Sequence, residues 1–132
     1  MNILFVCRYN RFRSRVAEAF FNYYNKNKKI HVKSAGTNVD QLGFPIMSGA
    51  REALKKLNIP CDLEMGAQQL DSNLINWADK IYVVADDVSL EDIPSKKTIQ
   101  FNIIDAWTNE SVILKTIKSV EKSVKEIISS LK

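Results

Sequence analysis

The chain has little sulfur and almost no imidazole: two cysteines, Cys7 and Cys61, and one histidine, His31, in 132 residues. Two thiols cannot build a disulfide framework. They suit a reducing compartment, where an exposed thiol serves chemistry more often than structure. His31 lies on a predicted strand with no ligand partner nearby and reads as structural. No apolar run approaches a membrane span, and the opening one, residues 3–6, is far shorter than a signal-peptide core. A cytoplasmic protein without a membrane partner is expected. Internal repeats, low-complexity tracts and linkers are missing too. The length suits one compact domain, expected over residues 1–132, and is too short for two.

What is present is an ordinary globular balance, 45% apolar and 26% charged, which excludes disorder. The net charge of +4 favours a mildly anionic partner and is too small to argue for nucleic acid. Residues 3–6 form a continuously apolar run, as a strand buried on both faces does. Over residues 14–25, Val16, Ala17, Phe20 and Tyr24 share one helical face, and "NKNKK" stops that helix. A second strand, "IHVKSAG", ends at Gly36. Pro45 suits the first turn of a helix running to about Leu57, with Ile46, Ala50, Ala53, Leu54 and Leu57 inward. "LDSNLINWAD" predicts a helical turn capped by Asp71 or Ser72, with Trp77 on its packed face. Strands follow at "KIYVVA" and "TIQFNII", then a long amphipathic helix over residues 110–131 with lysines on its wet side. Strands alternating with helices predict an α/β fold, a parallel sheet covered on both faces. Ligands bind such sheets at the carboxyl ends of the strands. The first strand ends at Cys7, the third near Asp86 and the fourth near Asp105, so three reactive groups are expected on one edge.

The opening stretch "NILFVCRYNRFRSR" ends a buried strand on a thiol and crowds Arg8, Arg11, Arg13 and Arg15 around it. A thiol attacks as thiolate, a form favoured at a helix N-terminus and beside cations. The backbone between strand and helix can curl its N–H groups into an anion cradle. Asn10 tolerates the left-handed backbone of such a curl, and arginine's planar fork matches two phosphate oxygens. For single residues the plain readings are that Arg8 and Arg15 are solvated and that Cys61 is a packed or half-exposed thiol. Asp86, Asp87, Glu91 and Asp92 read as a solvated acidic turn, with Asp86 bracing a loop, rather than a metal site.

"CRYNRFRS" resembles the phosphate-binding loop of the low-molecular-weight protein tyrosine phosphatases, usually C-x-G-N-x-C-R-S. "SAGT", "WADKIYVVADD" and "IIDAW" resemble that family's serine-containing turn, third strand with acidic turn, and general-acid loop. The resemblance implies three layers around a four-stranded parallel sheet of order 2-1-3-4. It implies a phosphomonoester hydrolase acting through a cysteinyl-phosphate, with no cofactor and no metal. Cys7 would be the nucleophile, Arg13 the ligand of the equatorial oxygens and Asp105 the general acid and base. The loop from Arg8 through Tyr9, Asn10, Arg11 and Phe12 to Ser14 would cradle phosphate. Ser14 would donate to the thiolate, and Asn10, Ser34 and Asp86 would hold the loop in shape. Trp107 and Tyr9 would flank an aromatic substrate. Phosphorylated protein or a small aryl phosphate is the expected partner, and a monomer or weak dimer the expected state. Phosphotyrosine, phosphoarginine and a small ester stay open.

The chain departs from the family pattern at several positions. Tyr9 stands in place of glycine, which predicts local strain. Phe12 replaces the second loop cysteine, Met65 a loop-tying histidine, and Ala106 a proline, which predicts a more mobile acid loop. Arg11 replaces an apolar residue or threonine at the substrate mouth, which predicts a preference for acidic phosphopeptides. Two alternatives stand beside the phosphatase. Arsenate reductase would need a resolving thiol, which "VVADDVSLED" lacks. A non-catalytic phosphoprotein- or RNA-binding module would use the arginines interleaved with Tyr9 and Phe12.

Overall fold

The computed structural model describes residues 1–132. The central strand, β1 (Asn2–Cys7), is parallel to β2 (His31–Gly36) on one side and to β3 (Lys80–Val83) on the other. β4 (Thr98–Gln100) adds to β3 and completes the order β2-β1-β3-β4 expected from the sequence. β1 is apolar throughout because both of its faces are covered. Ile3 and Phe5 face one core, with Phe20 and Phe21 of α1 (Arg13–Tyr24), Leu54 of α2 (Ser48–Lys56), and Ile117 and Val120 of α4 (Glu110–Ser130). Leu4 and Val6 face a smaller core with Ile81 and Val83, closed by Leu74 and Trp77 of α3 (Ser72–Trp77). Three helices thus lie on one face and the short α3 on the other. No helix is long and apolar enough to cross a membrane.

Local chemistry explains the helix limits. Asp71 accepts the Leu74 amide at 2.8 Å and Asn109 accepts the Val112 amide at 3.0 Å, so each caps its helix. α1 is different: no side chain caps it at Phe12 and no acidic residue stands in its first turn. Its positive end is left for another anion.

Three expected boundaries move. Pro45 lies outside α2, which starts at Ser48, because the Pro45 carbonyl is taken by Arg11 Nε at 2.9 Å. Leu57 is exposed, as the residue that ends α2. The fourth strand pairs in register only over Thr98–Gln100, since its partner β3 ends at Val83, and residues 101–105 run on as irregular chain.

Phe20 is fully buried between the sheet and α4 and Ile99 is 55% exposed on the edge strand. Phe20→Ala should therefore lower unfolding free energy by about 3–5 kcal/mol, and Ile99→Ala by less than about 0.5 kcal/mol, in urea titrations.

Candidate active site

β1 ends at Cys7 and α1 begins at Arg13, so five residues turn the chain from the sheet edge into the helix. The turn needs one left-handed residue, and Asn10 supplies it with φ 55°. That conformation brings the Asn10 amide over the sulfur, where it donates to Cys7 Sγ at 3.3 Å. Tyr9 has no positive φ, since Asn10 and Asn58 are the only non-glycine residues that do. The expected strain at Tyr9 is absent because the left-handed step falls one residue later.

Behind the loop runs a chain of hydrogen bonds whose direction is set from Gln68 as far as the two serines. The Gln68 backbone N–H donates to Asn10 Oδ1 at 2.9 Å. A backbone amide can only donate, so the carboxamide must face its Nδ2 the other way. Nδ2 donates to Ser14 Oγ at 2.8 Å and to Ser34 Oγ at 3.0 Å. Ser34 sends its own proton to Glu18 Oε1 at 2.7 Å. Ser14 Oγ, which accepts from Asn10, also shares a hydrogen bond with Cys7 Sγ at 2.9 Å, in which either atom can donate. The Asn10 amide uses the sulfur as an acceptor. Gly36 allows β2 to pass close behind: a Cβ there would meet Arg8 O at 2.7 Å and Asn10 N at 2.9 Å.

Arg13 is 1% exposed. Its Nη1 donates to Ile103 O at 2.7 Å and lies 3.5 Å from Asp86 Oδ1, and its Nη2 donates to Asp87 Oδ1 at 2.9 Å. Nε is buried without a hydrogen bond, 3.7 Å from Asp105 Oδ1. Burial pushes the Asp105 carboxyl above its usual range, and the nearby Arg13 opposes that shift only in part. The Ala106 carbonyl accepts from Thr116 Oγ1 at 2.9 Å, which ties the Asp105 loop to α4.

A cleft of about 650 Å³ opens over the sulfur. Cys7, Tyr9, Arg11, Phe12, Arg13, Asp105 and Trp107 all line it, so seven of the residues expected at the site meet there. Trp107 is 56% exposed at its rim. Asn10, Ser14 and Ser34 lie beneath it, in the network just described.

Other expectations are corrected. Arg8 does not line the cleft: its guanidinium lies 5.4 Å from the Tyr9 ring centre, and its carbonyl accepts the Asn38 amide. Phe12 borders the cleft but is almost wholly buried in the larger core, so its ring serves packing as well. Arg15 is not solvated but buried, donating through Nη2 to the carbonyls of Met65 and Asp62. Arg11 does not reach freely toward a substrate. It donates to Pro45 O and Gln41 Oε1 and lies over the Phe44 ring. Asp86, expected to brace the loop, lies 3.5 Å from Arg13 Nη1, while Asp87, read only as part of an acidic turn, is the closer partner at 2.9 Å. Glu18 and Gln68 were missed altogether. Glu18 was findable, since it stands four residues after Ser14 on one helical face. Gln68 was not, because its contribution is a backbone amide.

The family model described as low molecular weight phosphotyrosine protein phosphatase matches residues 2–115. The chain belongs to this family. It is 35% identical over 107 residues to the low molecular weight protein-tyrosine-phosphatase PtpA of Staphylococcus aureus (strain Newman), covering 78% of this chain and 64% of PtpA. The match thus spans less than two thirds of the curated relatives' length. The crystal structure of SP-PTP, a low molecular weight protein tyrosine phosphatase from Streptococcus pyogenes, superposes with TM-score 0.88 at 24% identity, covering 99% of this chain and 93% of that one. The YwlE arginine phosphatase from Geobacillus stearothermophilus has the same fold, with TM-score 0.86 at 24% identity over 98% and 92% of the two chains. In this chain the Gln68 backbone amide orients Asn10, and Arg15 holds the carbonyls of residues 62 and 65.

Two expected outcomes follow. Gly36→Ala pushes a methyl group into the loop backbone and should weaken phosphate binding, read by titrating phosphate against backbone NMR signals. Burial also raises the Glu18 carboxyl above its usual 4.5. The native chain then holds this proton more tightly than the unfolded chain, so stability falls as pH rises from the ordinary value through the raised one. Urea midpoints measured between about pH 4 and 8 should decline through that window, and Glu18→Gln should remove its share of the decline.

Proposed function

We propose that the chain hydrolyses phosphate monoesters, with phosphotyrosine in proteins as its substrate class, through a cysteinyl-phosphate intermediate. The observation that carries this is the meeting, in one cleft, of an accepting sulfur, a buried arginine with a free Nε, and an acid with a raised pKa. The Cys7 thiolate attacks phosphorus, forming the S–P bond as the P–O bond to the leaving group breaks. Asp105 gives its proton to the departing oxygen, so the phenol leaves neutral. A water then attacks phosphorus from the same face and returns a proton to Asp105, and the S–P bond breaks to release phosphate and thiolate. Arg13 holds the equatorial oxygens, where charge spreads in the transition state. Asp86 and Asp87 hold the guanidinium in place, and the uncapped first turn of α1 adds its partial positive charge.

Tyr9 and Trp107 on the cleft wall suit a flat aromatic leaving group. The fixed Arg11 guanidinium in the same wall disfavours a phosphoarginine side chain, which would bring a second guanidinium beside it. The alternatives fare worse. Cys61, the one other thiol, packs against the larger core and borders a different cavity, so it is poorly situated to relay a disulfide from Cys7 in arsenate reduction. In the stretch "RYNRFRSR", Phe12, Arg13 and Arg15 are buried, which removes them from RNA stacking or phosphate contacts.

With an aryl phosphate, Cys7→Ser should abolish turnover and Asp105→Asn should lower kcat by about 10²–10⁴. The loss should shrink for an electron-poor phenol, which needs the proton less. Because Asp105 stays protonated above the usual carboxylate range, the basic limb of the kcat–pH profile should lie above that range and vanish in Asp105→Asn. Full activity in Cys7→Ser, or a higher kcat/KM for phosphoarginine than for phosphotyrosine peptides, refutes the assignment.

A further inference from the structure

Residues 104–108 carry Asp105 between two fixed posts. On one side the Ile103 carbonyl accepts from Arg13 Nη1 at 2.7 Å and from the Asp86 amide at 3.2 Å. On the other side Asn109 caps α4. Between the posts a single hydrogen bond joins the segment to the rest of the chain, from Thr116 Oγ1 to the Ala106 carbonyl at 2.9 Å. Asp105 Oδ1 lies 3.7 Å from Arg13 Nε, too far for a hydrogen bond. Packing holds the segment weakly, because Ile104, Trp107 and Thr108 are exposed. It also contains no proline to fix a φ angle.

Thr116 is buried on the core face of α4, with Ile113, Ile117 and Val120. A valine would fill that place as well, so the hydroxyl needs a reason. A hydroxyl inside a helix can bond the carbonyl four residues back, as Ser123 does to Ser119 O at 3.1 Å. Thr116 has the same kind of acceptor in Val112 O at 3.2 Å, but Ala106 O is nearer. The hydroxyl has one proton. It can hold the segment or return to its own helix, and neither choice leaves a buried donor unpaired.

We infer that Thr116 is a positioning residue for Asp105, holding the acid at the cleft through the Ala106 carbonyl and releasing it by turning to Val112. This role rests on Asp105 acting as the general acid proposed above, while the tether itself is measurable without turnover.

Thr116→Val keeps the shape and removes the donor, and Thr116→Ser keeps the donor. With phenyl phosphate, Thr116→Val should lower kcat/KM about fivefold to tenfold, and Thr116→Ser should recover most of the loss. With p-nitrophenyl phosphate, whose leaving group needs the proton less, the loss should stay below about twofold. In the Asp105→Asn background Thr116→Val should cost nothing further, because it acts through that carboxyl. Equal losses on the two esters, or the same loss added to Asp105→Asn, overturn the inference. Carbon-13 NMR of the Asp105 carboxyl gives the test that needs no turnover. Burial is the chief cause of its raised pKa, with Asp87 and Asp86 adding to the shift and Arg13 and Trp107 opposing it. A loosened segment admits water, so the titration midpoint should fall toward the ordinary carboxylate range in Thr116→Val and return in Thr116→Ser. A midpoint unmoved in Thr116→Val overturns the tether. A midpoint that moves in a chain whose unmodified form hydrolyses neither ester supports the tether and refutes the phosphatase assignment alone.

Discussion

The Gln68 N–H can only donate, and Asn10 Oδ1 is the atom it meets. Much of the site follows from that contact. If the Asn10 carboxamide turned over, its Nδ2 would face a donor, and both serine hydroxyls would face an oxygen. Held as it is, it makes Ser14 and Ser34 acceptors, so that Ser34 sends its proton to Glu18 and Ser14 keeps its hydroxyl against the sulfur. A buried polar network of this kind is stable only when every member is satisfied. The loop therefore keeps one shape without a second thiol or a histidine to hold it. Side chains from α1 and β2 and one backbone amide of the 60–70 connection do that work together.

The other organising element is Arg13, set among Asp86, Asp87 and Asp105. A buried guanidinium needs anionic neighbours, but a cation fully satisfied by carboxylates has nothing left for a phosphate. Two features resolve this. Nη1 and Nη2 are engaged while Nε is free, and Asp105 is the carboxylate that burial inclines toward its neutral form. The same burial thus serves two ends: it leaves Arg13 with positive charge to offer and gives the acid its proton at higher pH.

The reading from sequence reached the fold through hydrophobic period and alternation, which report burial directly. It reached Cys7, Asp86 and Asp105 because strand ends in a parallel sheet share one edge, and Arg13 through the resemblance of its loop to the family's phosphate-binding motif. It misjudged Arg15 because an arginine in a helix's first turn reads as solvated by default. In the fold, carbonyls of residues 62 and 65, remote in sequence, converge on Arg15. It ranked Asp86 above Asp87 because adjacent carboxylates differ only in which way the turn aims them. It extended the fourth strand to residue 104 because apolar residues continue there, whereas pairing stops at Gln100.

The sequence by itself determined the covered parallel sheet and the left-handed step at Asn10, because these depend on local periodicity and on what one residue's backbone tolerates; the strand order came with the resemblance of its motifs. Tertiary structure alone decided which carboxylate grips Arg13, that Arg11 is held along the wall, and that Arg15 is buried on the carbonyls of residues 62 and 65. Each of those outcomes rests on contacts between segments dozens of residues apart, and no local pattern encodes the direction in which a side chain or a carbonyl will meet its partner.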